Sequence, residues 1–246
     1  MKIIAELHTH SSEFCDHATH TIDELVAVAK EQGFKYFATT NHGPVADRGT
    51  PITFYLDNLE REYEGIKFLA GVEADLRDLH GGLDFAQRDL LILDFVIASM
   101  HGSCIETGYS DYTKALVALA ENPAVDCLGH IARSPEYVYD LDTVLAAVKA
   151  NGKLIEFNNS TIVNTPSAPA CGRVMDKCAE LGIDCIVTND AHFPHIIGHY
   201  EKTIEMLEER NFPEELIINA SEEKMEKFLA RRKEEKKKAY DALFVV

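Results

Sequence analysis

Two histidines near the start of the chain have the spacing of a metal-binding pair. His8 and His10 follow an apolar run at residues 3–5 that predicts a β-strand. Side chains two residues apart on extended backbone project to the same side, so both imidazoles can reach one cation. Imidazole is the commonest side-chain ligand of metals in proteins. A metal centre is therefore the first chemistry to test against the rest of the sequence.

Apolar runs and helical periodicities alternate along the chain. The predicted strands are residues 3–5, 36–40, 68–72, 93–99, 125–129, 154–157 and 185–188, and a weaker eighth run covers residues 216–218. Helical patterns lie between them; the first begins with a capping box formed by Thr21 and Glu24 and ends at Gly33. Strands that alternate with helices predict a parallel sheet with right-handed crossovers. We therefore predict an α/β fold with a parallel barrel, complete or distorted.

In such a barrel the active site lies at the carboxyl ends of the strands. Coordinating residues follow nearly every predicted strand, at His8, His10, His42, Glu73, His101, His130, Asp190 and His192. His17 lies in the loop after the first strand. A single histidine at a strand end is ordinarily a loop residue, but 11 histidines placed at random over 246 residues would rarely supply so many to one rim. Their joint placement predicts a metal site.

The candidate ligands are too many for one ion. Zn²⁺ takes roughly three or four protein ligands, so this set suits two or three ions, with Glu73 able to bridge through its two oxygens. Imidazole with carboxylate favours Zn, Mn or Fe over Ca or Mg. Neighbouring cations stabilise the attacking and leaving oxygens of a phosphate displacement and generate hydroxide from water near neutral pH. Phosphate-ester hydrolysis is therefore the expected chemistry.

The composition excludes several other classes of protein. Hydrophobic residues make up 46% and charged residues 26%, without an apolar run that could span a membrane or a secretory signal, so we expect a cytoplasmic protein with no membrane partner. The net charge of −17 argues against a nucleic-acid partner. The basic residues between 231 and 238 are interleaved with glutamates, which is typical of the solvated face of a last helix.

The six cysteines include no C-x-x-C pair, which argues against a disulfide framework and against a thiolate zinc cluster. Cys15 and Cys104 flank the predicted site in sequence. No partner spacing identifies either of them as a nucleophile. Most of the cysteines are expected to be small apolar residues of the core.

The ordered motifs resemble those of a known family. They are H-T-H after the first predicted strand, T-N-H after the second, G-V-E-A at the third, a histidine after the fourth, G-H after the fifth, E-F-N-N-S at the sixth and N-D-A-H after the seventh. From residue 3 to about residue 230 the chain resembles the PHP (polymerase and histidinol phosphatase) family, and within it the YcdX-type phosphatases. The resemblance implies a single domain over residues 1–246, a distorted TIM-like (βα)7 barrel with parallel strands. It also implies a trinuclear metal cluster, usually of zinc, that hydrolyses phosphoesters; Mn or Fe are the alternatives.

The resemblance further implies how the ligands divide among three ions. It assigns His8, His10, Glu73 and Asp190 to one ion, His17, His42 and His192 to a second, and His101 and His130, with Glu73 bridging, to a third. The first loop is one residue longer before His17 than in the family, and we prefer His17 to His20 as the ligand. Asn41 stands where the family commonly has Asp, so we expect a neutral amide in place of the carboxylate that orients His42, with a weaker site for that ion.

Four residues are candidates for substrate binding. Arg48 and Arg133 lie in the loops after the second and fifth strands, where a guanidinium can hold a phosphate; a surface ion pair is the alternative for each. Asn158 can hydrogen-bond a ligand or shape its loop. His199 follows the N-D-A-H motif closely enough to contact substrate.

We predict a metal-dependent phosphomonoesterase that acts on a small-molecule phosphate ester, with metal-bound hydroxide as the nucleophile. A phosphodiesterase or exonuclease of the same family is an alternative. Amidohydrolase barrels also open with H-x-H but have a lysine after the fourth strand, where this chain has His101. A non-catalytic metal-binding module is the third alternative, and the retained ligand set argues against it.

Overall fold

The seven predicted strands form one parallel sheet in chain order. The computed structural model describes residues 1–46, 50–102, 104–106, 111–164 and 166–245. The strands are β1 (Ala5–Glu6), β2 (Tyr36–Thr39), β3 (Lys67–Asp75), β4 (Phe95–Ser99), β5 (Cys127–Leu128), β6 (Leu154–Asn158) and β7 (Cys185–Thr188). Register pairs such as Val72 with Val96 and Phe157 with Val187 are all parallel. The predicted α/β barrel is confirmed; it is nearly closed, with β1 and β7 on either side of the gap.

Helices follow the strands along the chain, and the last two come after β7. They are α1 (Ile22–Glu31), α2 (Ile52–Asn58), α3 (Gln87–Leu90), α4 (Thr113–Glu121), α5 (Leu141–Ala150), α6 (Asn159–Asn164), α7 (Ala168–Leu181), α8 (Glu201–Glu209) and α9 (Glu222–Ala242). The Thr21 hydroxyl accepts a hydrogen bond from the Glu24 N–H, and the Glu24 carboxylate accepts one from the Thr21 N–H at 2.9 Å. The capping box predicted for α1 is therefore present. Among the described residues, no helix is both long enough and apolar enough to cross a membrane.

The weak eighth run does not form a strand. Its residues belong to two 3₁₀ turns, Glu214–Leu216 and Ile218–Ala220. Between them, Ile217 makes a single parallel bridge to Cys185 of β7. The run is apolar because it is buried against the sheet, and burial alone does not distinguish a strand from a pair of turns.

Asn219, inside the second of these turns, links β7 to β1. The side chain is fully buried. Its amide group donates to the Ala5 carbonyl at 3.0 Å and to the Val187 carbonyl at 2.7 Å, and its oxygen accepts from the Val187 N–H at 3.1 Å. One side chain thus supplies hydrogen bonds that the backbone of an eighth strand would otherwise make.

The same two edges meet again at the carboxyl ends of the strands. The His10 N–H donates to the Ala191 carbonyl, and the Ala191 N–H donates to the His8 carbonyl, both at 2.9 Å. These two bonds form the parallel bridge between Thr9 and Ala191. The gap between β1 and β7, which we call the seam, is therefore closed at both ends.

Apolar side chains fill the barrel below the polar rim. The interior cluster includes Leu7, Ala38, Leu69, Phe95, Ile97, Leu154 and Ile186, all of them buried. Met225 and Phe228 of α9 join this cluster, so α9 covers the amino ends of the strands. A second apolar cluster packs the helices against the outer face of the sheet.

A buried charge cluster fixes α9 to the amino end of the barrel. The Asp126 carboxylate accepts hydrogen bonds from Arg232 Nε at 2.7 Å and from Lys236 Nζ. The Arg232 guanidinium also donates to the carbonyls of Pro123 at 2.6 Å and Val125 at 2.9 Å. Burial alone would raise the pKa of Asp126, but Lys236 and Arg232 lower it. The prediction that this basic stretch is solvated is therefore wrong for Arg232 and Lys236, which are both buried because the carboxylate compensates them.

Candidate metal centre

Glu73 lies at the centre of a polar cluster at the carboxyl ends of the strands. Near the end of β3, its carboxylate is fully buried and faces five imidazoles. Oε2 lies 3.3 Å from His8 Nε2, 3.4 Å from His10 Nε2 and 3.0 Å from His42 Nδ1, and Oε1 lies 3.6 Å from His101 Nε2 and 2.9 Å from His130 Nε2. Because the two oxygens face different histidines, the carboxylate can bridge two ions.

Asp190 faces the same cluster from the other side of the seam. Its Oδ1 lies 3.0 Å from His10 Nε2, 3.5 Å from His8 Nε2 and 3.6 Å from His192 Nδ1. Asp190 has a φ of 54°, and His130 a φ of 22°. Such left-handed conformations cost a non-glycine residue on the order of 1–3 kcal/mol and concentrate at functional sites. Strain at two candidate ligands is therefore consistent with a binding role.

Many donor atoms of the cluster lack a hydrogen-bond partner within the described part of the chain. The buried atoms in this state include His8 Nε2, both ring nitrogens of His10, His42 Nδ1, Glu73 Oε2 and Asp190 Oδ1. An unpaired buried polar atom costs about 1–3 kcal/mol. Cations between these atoms would satisfy them together, so the residues fit the metal centre that the sequence predicts.

Ligand atoms within 4.8 Å of one another form four groups among the described residues. The groups are His8, His10, Glu73 and Asp190; Glu73, His101 and His130; His42, Asp75 and His101; and His10, Cys15 and His192. The first two groups have the same members as two of the three ligand sets implied by the family resemblance. The chain therefore offers donors for more than one ion.

The charge states of Glu73, Asp190 and His10 suit cation binding. Burial alone would raise the pKa of Glu73, but His8 and His101 hold it well below its usual range. Burial opposes ionisation of Asp190 as well, and His8 and His10 likewise hold its pKa low. Burial and two neighbouring imidazoles lower the pKa of His10, which is therefore neutral. Ionised carboxylates and neutral imidazoles are the forms that bind metals.

His8 and His42 differ from His10 in their charge. Burial alone would lower the pKa of His8 and His42, but nearby carboxylates hold the pKa of His8 well above its usual range and raise that of His42 to about 9. These two imidazoles must therefore lose a proton before they bind a metal.

Glu156, on β6, orients His8, and the strand-end pattern did not identify it. Its Oε1 lies 2.5 Å from His8 Nδ1 and accepts a hydrogen bond from the Thr188 hydroxyl at 2.6 Å. Its Oε2 accepts from the His130 N–H at 2.7 Å. With Nδ1 engaged, Nε2 of His8 is left to face the cluster. A carboxylate in this position fixes the tautomer and the orientation of a ligand histidine.

Asp75 has the same role towards His101. Its Oδ1 lies 2.5 Å from His101 Nδ1, so that Nε2 faces Glu73. Asp75 follows Glu73 by two residues on one strand, and side chains two apart share a face. That spacing was the signal in the sequence that could have identified Asp75.

Replacing Glu156 with glutamine is expected to weaken metal binding or activity by about 10- to 100-fold, because His8 loses its anionic hydrogen-bond acceptor. Titration of the metal-free variant with Zn²⁺ measures the effect. Glu136→Gln, at an exposed position of the rim, is the matched control and should bind like the unmodified protein. Equal affinities in the two variants would contradict the assigned role of Glu156.

The Asn41 side chain bonds to Ser11 rather than to His42, and the expected weaker site for the ion at His42 stays a prediction. Asn41 Oδ1 accepts a hydrogen bond from the Ser11 N–H at 2.6 Å, and its Nδ2 donates to the Ser11 hydroxyl at 3.0 Å. Neighbouring side chains on extended backbone point to opposite sides, so Asn41 turns away from His42. Its amide instead supports the loop that follows His10.

The structure does not bring His17 into the cluster. His17 is exposed, whereas Cys15, two residues earlier, is only 1% exposed. Two backbone hydrogen bonds shape this loop, from Cys15 N–H to the Ser11 carbonyl at 3.1 Å and from Ala18 N–H to the Cys15 carbonyl at 3.3 Å. The loop therefore turns Cys15 inward and leaves His17 at the surface.

Arg133 lies at the opening of the cluster. Its side chain is 44% exposed, and Nη1 lies 3.8 Å from Asp190 Oδ2 and 3.4 Å from His101 Nε2. The guanidinium thus faces both the cluster and solvent. The other candidate arginine, Arg48, lies outside the described residues.

The other two candidate substrate contacts differ from each other. Asn158 Oδ1 accepts a hydrogen bond from the Thr161 N–H at 2.9 Å, while its buried Nδ2 has no partner among the described residues. The hydrogen bond to Thr161 shapes the start of α6, and Nδ2 of Asn158 is available to a ligand. The His199 ring is exposed and pairs with Glu201 at 3.0 Å. Its ring is engaged on the surface rather than in the cluster.

Proteins related in sequence carry a common name. A protein of Acetivibrio thermocellus named "Probable phosphatase" is 36% identical to this chain over 239 residues, which are 95% of this chain and 98% of that protein. A probable phosphatase of Caldanaerobacter subterraneus subsp. tengcongensis is 37% identical over 240 residues, with 95% of this chain and 93% of that one covered. The similarity therefore extends over nearly the whole of each protein.

The fold is also similar to a solved structure. It resembles that of histidinol phosphate phosphatase from Lactococcus lactis subsp. lactis, which was determined with zinc, L-histidinol and phosphate. The TM-score is 0.63 at 18% identity, and the match covers 87% of this chain and 95% of that one. At this identity the likeness concerns the fold alone. The family model described as the PHP domain matches residues 6–160, and with these relatives it shows that the chain belongs to the PHP family.

Proposed function

We propose that the protein is a metal-dependent hydrolase of phosphoric ester bonds, and specifically a phosphomonoesterase of small molecules that uses a cluster of up to three transition-metal ions. The relatives named as phosphatases support the class of reaction. The observation that carries the proposal is the position of Glu73, whose two oxygens face five imidazoles in a buried cluster with unpaired donor atoms.

Zinc is the metal we propose first, with manganese or iron as alternatives, because imidazole and carboxylate donors suit all three. When bound, the ions would acidify water to supply the nucleophile and would neutralise phosphate oxygens. The chain itself provides orientation. Glu156 and Asp75 hold the rings of His8 and His101, so that their Nε2 atoms are already directed at the cluster. Preorganised donors of this kind need little rearrangement during the reaction.

Arg133 is the residue we propose for holding the phosphate group. Its guanidinium is partly exposed beside His101 and Asp190, on the open side of the cluster. A guanidinium can donate two parallel hydrogen bonds to phosphate oxygens. The nearby carboxylate of Asp190 keeps the arginine directed at the site before substrate arrives.

We propose that a cavity among the loops after β5 and β6 takes the organic part of a substrate. Its volume is about 480 Å³, and its wall includes Ile131, Tyr137, Tyr139 and Arg173. Ile131 and Ala132 of this wall stand between His130 and Arg133 in the chain, although neither His130 nor Arg133 lines the cavity. Sites for small molecules typically measure about 300–1,000 Å³. The net charge of −17 would repel a nucleic acid, which further favours a small phosphate ester.

Metal analysis combined with ester hydrolysis tests the proposal. The purified protein should contain between two and three equivalents of transition metal and should hydrolyse nitrophenyl phosphate in preference to bis(nitrophenyl) phosphate. We expect kcat/KM for the monoester to exceed kcat/KM for the diester by at least roughly tenfold, which corresponds to about 1.4 kcal/mol of transition-state stabilisation. Chelation should abolish turnover, and Zn²⁺, Mn²⁺ or Fe²⁺ should restore it.

Two histidines of the same loop provide a matched comparison. His192→Ala should lower metal content and turnover, whereas His195→Ala, at an exposed position, should change neither. Preference for the diester would indicate a phosphodiesterase instead. A full metal complement without turnover of a broad panel of phosphate esters, or an unchanged His192→Ala variant, would favour a non-catalytic metal-binding module.

A further inference from the structure

Cys15 lies within the ring of candidate ligands. Its Sγ, one ring nitrogen of His10 and one of His192 are within 4.8 Å of one another. Metal–sulfur and metal–nitrogen bonds to zinc are about 2.3 and 2.0 Å long, so two such bonds placed end to end span most of that distance. The three side chains are therefore close enough to share an ion after a small adjustment.

The loop after β1 holds the cysteine in this position. Cys15 is 1% exposed, and its N–H is bonded to the Ser11 carbonyl at 3.1 Å. Ser11 is in turn held by the Asn41 side chain through two hydrogen bonds, at 2.6 and 3.0 Å. The thiol is thus directed by a chain of contacts that begins at β2, and its place among the donors is set by the fold of the loop.

His10 provides independent evidence that a ligand belongs between these groups. Its side chain is fully buried. Its ring stacks on that of His192 with centroids 4.2 Å apart. Its Nε2 lies 3.0 Å from Asp190 Oδ1. Nδ1 is therefore the ring nitrogen of this buried imidazole that is without a partner among the described residues, beside a second imidazole and a thiol that can both bind a metal.

We propose that Cys15 is a thiolate ligand of one ion of the metal centre, together with His192 and His10, and that it takes the position that the family resemblance gives to His17. The inference rests on the proposed metal centre and specifies one of its ligands. Cysteine binds as the thiolate and releases its proton on coordination. His17 is exposed and takes no part.

A thiolate changes which metal this part of the centre prefers. Sulfur is a soft ligand that suits zinc or iron, whereas manganese favours carboxylate, carbonyl and water. The Cys15 site should therefore retain Zn²⁺ in competition with Mn²⁺ more strongly than a site of imidazole and carboxylate alone. Replacing Cys15 by serine should reduce that preference.

Cobalt substitution tests the proposal directly. The chelated protein is reloaded with Co²⁺ without oxygen, and its near-ultraviolet spectrum is recorded for a thiolate-to-cobalt charge-transfer band. The band should be present in the unmodified protein, absent in Cys15→Ser and retained in His17→Ala. Cys104→Ser, at another buried cysteine near the rim, is the matched control and should keep the band. Bound cobalt should fall by up to one equivalent in Cys15→Ser only.

A second measurement needs no variant and applies even if Cys15→Ser fails to fold. Alkylation of the unmodified protein, mapped by mass spectrometry, should show that cobalt protects Cys15 but leaves the labelling of Cys104 unchanged. Absence of the charge-transfer band in a cobalt-loaded protein, its persistence in Cys15→Ser, or equal labelling of Cys15 with and without cobalt would overturn the proposal. Ester hydrolysis without the band would reject Cys15 as a ligand while leaving the proposed function in place. A charge-transfer band in a protein that hydrolyses no phosphate ester would reject the proposed function while leaving Cys15 as a metal ligand.

Discussion

Replacing Glu73 with glutamine is expected to remove at least one metal ion per chain and to lower kcat/KM for a phosphate monoester by about 1,000-fold. Glutamine has the same shape but no negative charge, and its amide group would meet imidazole nitrogens that now face a carboxylate oxygen. Metal ions supply several kcal/mol of transition-state stabilisation, and a 1,000-fold loss corresponds to about 4 kcal/mol. Metal analysis and steady-state kinetics on the same preparation measure both effects.

A second glutamate on the same rim provides the control for this substitution. Glu201 has a side chain that is 74% exposed and pairs with His199 outside the cluster. Glu201→Gln should keep its metal and its activity. A Glu73→Gln variant that is folded by circular dichroism, retains a full metal complement and loses less than roughly tenfold in kcat/KM, or about 1.4 kcal/mol, would contradict the central position given to Glu73.

Replacing Asp126 with asparagine is expected to lower the free energy of unfolding by about 3–5 kcal/mol, because Arg232 and Lys236 would remain buried without their counter-charge. Both cations are at most 3% exposed, and Asp126 is fully buried. Asparagine keeps an oxygen that can accept the 2.8 Å hydrogen bond from the Val96 N–H, but its amide group replaces the oxygen that now accepts from Arg232 Nε, so the variant removes the charge together with one acceptor. Denaturant unfolding of the metal-free protein gives the free energy directly.

Glu226→Gln is the matched comparison on the same helix. Glu226 pairs with Lys67 at 3.2 Å, but both side chains are about half exposed, at 53% and 48%. Solvent-exposed ion pairs contribute about 0–1 kcal/mol, so this variant should unfold almost as the unmodified protein does. If the two variants differed by less than about 1 kcal/mol, the cluster around Asp126 would not fix α9 to the barrel.

The strands were predictable from the sequence because buried parallel strands are nearly continuous apolar runs. The positions at which the strands end were harder to predict. β3 was expected to stop at residue 72, yet it continues to Asp75. Glu73 and Asp75 are polar but fully buried, since imidazoles on neighbouring strands compensate them. Hydrophobicity cannot reveal a buried carboxylate whose partners are distant in sequence.

Most of the candidate ligands could be identified for a related reason. A barrel brings the ends of its strands together whatever the loops do, so the candidate residues at strand ends lie close together in the structure. His17 and Cys15 lie in a loop, where no strand periodicity decides which side chain turns inward. The choice depends on hydrogen bonds such as that between Ser11 and Asn41, which no periodic pattern encodes.

The burial of two basic residues of α9, at the other end of the barrel, could not be predicted from the sequence either. Arg232 and Lys236 stand four residues apart and therefore share one face of the helix. That face is buried because Asp126, more than a hundred residues earlier, lies beneath it. A charged helix face with a buried partner and one exposed to water have the same sequence pattern.

The seam gives the metal centre a mechanical role as well. His8 and His10 stand on its β1 side, and Asp190 and His192 stand on its β7 side, where the hydrogen bonds of Ala191 to His8 and His10 join the edges. An ion held by both sides would cross-link the two edges, and the free energy that it adds to folding would grow with the logarithm of its affinity. Metal starvation would then open the ring at this joint first, and proteases would find their entry there.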